Sequence, residues 1–123
     1  MRRVVVTGVG MVSPLGTGVE KSWSGALEGR SGIRTITRFD VSNFPVRIAG
    51  EVPDFDPALF IEKKEIKKMD SFIHYAIAAA SMAFEDSGFK VTDENAERVG
   101  VYVGAGMGGL PAIEHWHDVL KEK

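Results

Sequence analysis

Apolar positions along this chain follow two rhythms. The first is continuous: "RVVVT" (Arg3 to Thr7) and "VGVYV" (Val99 to Val103) are β-branched runs without alternation. Runs of this kind predict short strands covered on both faces, as in a parallel sheet. The second rhythm is helical. Val19, Trp23, Ala26 and Leu27 share one face, Thr17 and Glu20 are spaced as a capping box, and Gly29 offers a left-handed stop, so a helix is expected over about residues 18–28. In "EKKEIKKMDSFIHYAIAAASMAFEDSG", Ile66, Met69, Ile73, Ala76, Ile77, Ala80 and Phe84 keep helical spacing until Gly88. Phe72, Ala79, Met82 and Ala83 widen that stripe, which predicts an enclosed helix whose small residues permit close packing. A last helix is expected from Leu110.

From Arg30 to Pro57 no helical period survives; "VRIAGEV" suits a short peripheral strand, and Pro45, Pro53 and Pro57 punctuate irregular surface structure. Strand, long helix, strand implies a right-handed crossover between parallel strands. The expected class is therefore α/β, a single incomplete unit over residues 1–123, because two core strands are few for a sheet.

Composition narrows the partners. Fifteen Lys and Arg stand against 17 Asp and Glu, so no global field gathers polyanions, and nucleic acid is not expected. There is no cysteine, which removes disulfides, thiolate metal sites and a thiol nucleophile together. The apolar stretch Tyr75 to Ala80 is far below the ~18 residues of a membrane span. Arg2 and Arg3 precede an apolar run as in a secretion signal, but Thr7, Gly8, Gly10 and Pro14 interrupt it, so a cytoplasmic protein off the membrane is expected.

Gly8 and Gly10 raise the question of a nucleotide loop. A dinucleotide fingerprint needs a third glycine at fixed spacing and a helix opening directly on the turn, whereas here Ser13 and Pro14 intervene and Gly16 comes three positions late. A turn that lets backbone pass close to backbone is the preferred reading, over a small nucleotide-binding module. The run Gly104, Gly106, Gly108, Gly109 lacks the fingerprint too, and Met107 within it suits filler or pocket wall. Lys64, Lys67 and Lys68, at i, i+3 and i+4, share one helical face; spacing alone favours a solvated face partly compensated by Glu62 and Glu65 over a docking patch. His115 and His117, two apart, point away from each other and predict no metal site. His74 is expected to be a satisfied boundary residue, and Ser13 lacks a nucleophile elbow.

Taken in order, "VVVTGVGMVSPLG", "GRSGI", "FD", "KKMDSFIHYAIAAA", "DSG" and "ENAERVGVYVGAGMGGL" resemble the amino-terminal segment of the β-ketoacyl-acyl carrier protein synthases. "VSPLG", "KKMDSF" and "GAGMGGL" look most like the elongating synthase II branch. The resemblance implies a thiolase-like fold, of which this chain is part, and an acyltransferase that moves an acyl chain from carrier protein to a cysteine. It implies decarboxylative Claisen condensation with malonyl-carrier protein in fatty-acid synthesis, without a cofactor or metal. The cysteine and the two assisting histidines of that chemistry have no counterpart here, so no catalytic residue is assigned and the chain alone is expected to be inactive. The implied partners are acyl- and malonyl-loaded acyl carrier protein, the rest of the synthase polypeptide and a second copy in a homodimer. By resemblance, Lys64, Lys67 and Lys68 match the basic positions that contact the carrier, and Met107, flanked by Gly106 and Gly108, matches the apolar gate of the acyl pocket. A cysteine-less relative of the chain-length-factor type is the alternative within the family.

Overall fold

A computed structural model describes residues 2–122. In chain order the elements are β1 (Val12–Ser13), β2 (Gly16–Thr17), α1 (Val19–Leu27), β3 (Arg34–Thr35), β4 (Ile48–Ala49), α2 (Lys63–Ile66), α3 (Ser71–Ser87) and α4 (Leu110–Lys121). Short 3-10 turns lie at Pro57–Leu59 and Ala96–Arg98. The strands form two antiparallel pairs, β1 with β2 and β3 with β4. The peripheral strand expected in "VRIAGEV" is β4.

Neither expected core strand joins a ladder among the described residues. Val4, Val6 and Tyr102 are 90%, 82% and 104% exposed, so Arg3–Thr7 and Val99–Val103 lack the cover on both faces that their composition calls for. The physical reason is the missing partner strand: a continuous β-branched run is stable as a strand only between flanking strands and layers, and among the described residues no strand pairs with either segment.

The helix expected as one rod from Glu62 to Gly88 is two. α2 ends at Ile66, a turn carries Lys67 to Met69, and Asp70 is extended (φ −73°, ψ 158°) before α3 starts. Asp and Ser side by side favour a helix start over a helix interior, because their side chains compete for backbone groups. α3 is also less enclosed than its stripe predicts: His74 and Ala78 are its buried residues. Gly88, at φ 62°, ends it as expected.

α1 occupies the expected span with a different cap. Gly18, at φ 103°, holds the N-cap position and no side chain caps the helix, so the Thr17–Glu20 capping box does not form. At the other end Gly29 (φ 66°) is left-handed as expected; its amide reaches Ala26 O at 3.1 Å and that of Arg30 reaches Gly25 O at 2.9 Å, the paired bonds of a Schellman stop. Ser13 serves this corner structurally. Its hydroxyl lies 2.7 Å from Ser22 Oγ on α1 and accepts from the Leu15 amide, fixing the β1–β2 turn.

Close packing is concentrated where the segment after Thr7 crosses α3. A Cβ on Gly8 would run into the Ala83 carbonyl and lie 2.7 Å from Ser87 N; one on Gly10 would run into the Ala79 carbonyl and lie 2.7 Å from Ala83 N. The geometry is commensurate. Two residues of extended chain advance about 6.6 Å, and four residues of helix about 6.0 Å, so every second residue of one meets every fourth of the other. Val9, between the glycines, donates its amide to Asp86 Oδ2 at 2.8 Å and sets the register. Ala79, Ala83 and Ser87 are small because backbone meets backbone there.

The irregular stretch is held by a carboxylate clasp. Glu51 accepts from the Thr37 hydroxyl at 2.8 Å and from the Thr37 and Arg38 amides. These bonds, the Thr37 hydroxyl foremost, hold the Glu51 carboxyl below its ordinary range. Arg38 in turn donates to the Tyr75 hydroxyl, tying the clasp to α3.

Candidate functional site

Two groups of residues singled out by sequence converge near the start of α3. The first is the lysine segment. Lys64 lies in α2, Lys67 is its C-terminal capping residue, and Lys68 stands in the turn that follows. The acids expected to compensate them do so: Lys64 Nζ is 2.7 Å from Glu62 Oε2 and Lys68 Nζ is 2.9 Å from Glu65 Oε1. Both lysines and Glu62 are well exposed and Glu65 is partly so, so each pair contributes at most about 1 kcal/mol and yields readily to a stronger acidic partner. Lys67 has no acid within ion-pair distance among the described residues.

The second group is the glycine-rich loop leading into α4. Around Gly104 and Gly106 the Cβ direction is open space. Gly108 and Gly109 are different. A Cβ on Gly108 would lie 3.6 Å from the Phe72 ring, and one on Gly109 would run into the Asp70 carboxylate. The loop is therefore seated on the first turn of α3 at its far end and unsupported before it, with Met107 73% exposed at the junction. Pro111 in the first turn of α4 fits there because that position needs no amide donor.

Between the lysine turn and α4 runs an open groove of about 810 Å³, walled by Lys67, Lys68, Asp70, Phe72, Ile113 and Trp116 among others. Its rim is basic on one side and apolar on the other. The structure thus brings Lys67 and Lys68 together with the seated end of the glycine loop, and leaves Lys64 and the Met107 side chain outside the groove. Sequence reasoning missed Asp70 and Trp116 as parts of this arrangement. The "DS" pair at Asp70–Ser71, a helix-start signal inside an otherwise helical run, was the available clue to the first; nothing local marks the second.

His74 is 9% exposed with Nε2 at 3.0 Å from Ile66 O, a satisfied boundary histidine. His115 packs edge-on against Trp116, His117 Nδ1 lies 3.3 Å from its neighbour Asp118, and no metal-binding group of three or more His, Asp or Glu exists among the described residues. The Cβ faces of Gly8 and Gly10 are filled by α3 backbone, which leaves that side of the turn no room for a phosphate. Among the described residues no helix is long and apolar enough to cross a membrane.

The family model described as "Beta-ketoacyl synthase, N-terminal domain" matches residues 1–122. The 3-oxoacyl-[acyl-carrier-protein] synthase 2 of Vibrio harveyi is 56% identical over 99% of this chain and 29% of its own length. The protein of the same name from Coxiella burnetii (strain RSA 493 / Nine Mile phase I) is 53% identical over 97% of this chain and 29% of its own. Among solved structures, the ishigamide ketosynthase/chain length factor superposes with a TM-score of 0.66 and 48% identity, over 72% of this chain and 22% of that one. The chain spans about 29% of the length of the curated relatives it matches. It belongs to the β-ketoacyl synthase family and carries sequence of that family's amino-terminal domain.

Proposed function

We propose that this chain is the amino-terminal part of a 3-oxoacyl-[acyl-carrier-protein] synthase of the elongating type, an acyltransferase of fatty-acid synthesis working in the cytoplasm as a homodimer. The observation that carries the reading is the seating of Gly108 and Gly109 on Phe72 and Asp70, which brings the glycine loop beside the Lys67–Lys68 turn. In this reading the turn receives the acidic acyl carrier protein, and Lys64, Lys67 and Lys68 steer its approach. Met107 borders the acyl pocket, where its flexible thioether accommodates chains of different length, and the open surroundings of Gly106 let the loop move. Arg3–Thr7 and Val99–Val103 become neighbouring parallel strands joined by a crossover that includes α3. The antiparallel lie of the Gly8–Gly10 segment on α3 supports that arrangement.

The chain itself lacks a cysteine, so the nucleophile for thioester exchange comes from residues outside it. Its contribution is recognition and shape. The test uses the complete synthase with acyl- and malonyl-loaded carrier protein. Condensation is expected, and Met107→Phe is expected to lower kcat/KM for the longest acyl primers about tenfold while sparing short ones, the scale of one or two methylenes misfitted in an apolar pocket. Equal effects on short and long primers would remove Met107 from the pocket, and absence of condensation by the complete protein would end the reading.

A further inference from the structure

We infer that His74 is a positioning residue for carrier recognition, acting through the Ile66 carbonyl on the turn that presents Lys67 and Lys68. The inference rests on the docking role proposed above and adds to it a residue too buried to touch the partner itself.

α2 is four residues long, too short to hold its own shape, since an isolated turn of helix is unfavourable in water. Something outside it must fix its end. Ile66, its last residue, offers a carbonyl that accepts the Met69 amide at 3.3 Å and faces His74 Nε2 at 3.0 Å. A carbonyl accepts only, so Nε2 carries the proton in this bond. His74 is 9% exposed and stands in the first turns of α3, a helix whose own ladder over Ser71–Ser87 makes it a firm base.

The consequence follows from peptide planarity. The Ile66 carbonyl and the Lys67 amide are one rigid unit, so a hydrogen bond that fixes the first fixes where the Lys67 side chain sets out. Lys68 is held from the other side, its amide on Glu65 O at 3.0 Å and its ammonium on Glu65 Oε1 at 2.9 Å. Lys67 has no ion pair of its own among the described residues. Its direction therefore depends most on the His74 bond.

The test is kinetic and uses the complete synthase. His74→Leu is expected to raise KM for carrier-linked acyl substrate about fivefold, the scale of one lost hydrogen bond, while kcat and turnover of a carrier-free acyl thioester stay at wild-type level. His74→Gln, whose side-chain amide can donate to the same carbonyl, is expected to restore the low KM. Hydrogen exchange at the Lys68 and Met69 amides should accelerate in His74→Leu and not in His74→Gln. Should His74→Leu fail to fold, His74→Asn, polar but too short to span the gap, replaces it. Equal losses on both substrates, failure of glutamine to rescue, or unchanged exchange in the turn would overturn the inference. Lys67→Glu, measured alongside, separates the two levels: if it leaves carrier KM unmoved the docking role falls, and the exchange data alone then decide whether His74 positions the turn.

Discussion

Alanine at Gly10 should destabilise the fold by about 3 kcal/mol or more, since inserting a methyl group into a packed contact typically costs 1–3 kcal/mol and here the obstruction is backbone. The added Cβ meets the Ala79 carbonyl and lies 2.9 Å from Ala79 C and 2.7 Å from Ala83 N, and none of these atoms can swing aside as a side chain would. Relief requires the segment to lift from α3, which breaks the Val9 amide bond to Asp86 as well. Glu94→Ala is the control: its side chain is exposed in the polar connection after α3, and its effect should stay near the ~0.5 kcal/mol of ordinary surface substitutions. Denaturant unfolding of the complete synthase measures both. Matching midpoints for the two variants would show that the crossing does not bear on stability.

Reversing charge with Lys67→Glu and Lys68→Glu together should raise KM for acyl carrier on the order of tenfold to a hundredfold at low salt, because like charges now face each other at the docking rim. Most of the effect belongs to Lys67. Its replacement breaks no ion pair, whereas glutamate at Lys68 also confronts Glu65, 2.9 Å from the present ammonium. Salt gives the sharper reading. The screening length shrinks from about 10 Å at 0.1 M to about 3 Å at 1 M, so the wild-type KM should climb with ionic strength while that of the double variant stays flat or falls. Parallel salt curves for the two proteins would refute steering by this turn. A carrier-free thioester should be turned over equally by both.

How far the sequence discloses this structure depends on the kind of signal. Gly29 and Gly88 were legible as helix stops because a left-handed backbone is a property of the residue itself. The break between α2 and α3 was not, since Ile66, Met69 and Ile73 keep three- and four-residue spacing straight across it and hide the interruption from any periodicity. The capping box at Thr17 and Glu20 had the right letters, yet Gly18 took the cap, because its φ of 103° suits a sharp entry that a side chain would strain. The valine runs state a requirement for cover without naming what supplies it. At the candidate site Lys67 and Lys68 were singled out by pattern and resemblance, whereas Lys64 and the Met107 side chain, singled out in the same way, lie outside the groove. The seats of the loop, Asp70 under Gly109 and Phe72 under Gly108, join residues far apart in the chain and leave no spacing to find.

Of the two tryptophans in the chain, Trp116 stands in the wall of the groove beside Lys67 and Lys68, and Trp23 lies on α1 outside that lining. Both indoles are near two-thirds exposed, at 63% and 64%, so both start from a water-relaxed, long-wavelength emission. Anything that settles in the groove dries only one of them. With Trp23→Phe as background, the molecule becomes its own optical gauge of occupancy: a blue shift from Trp116 would time the arrival of a partner without any attached dye.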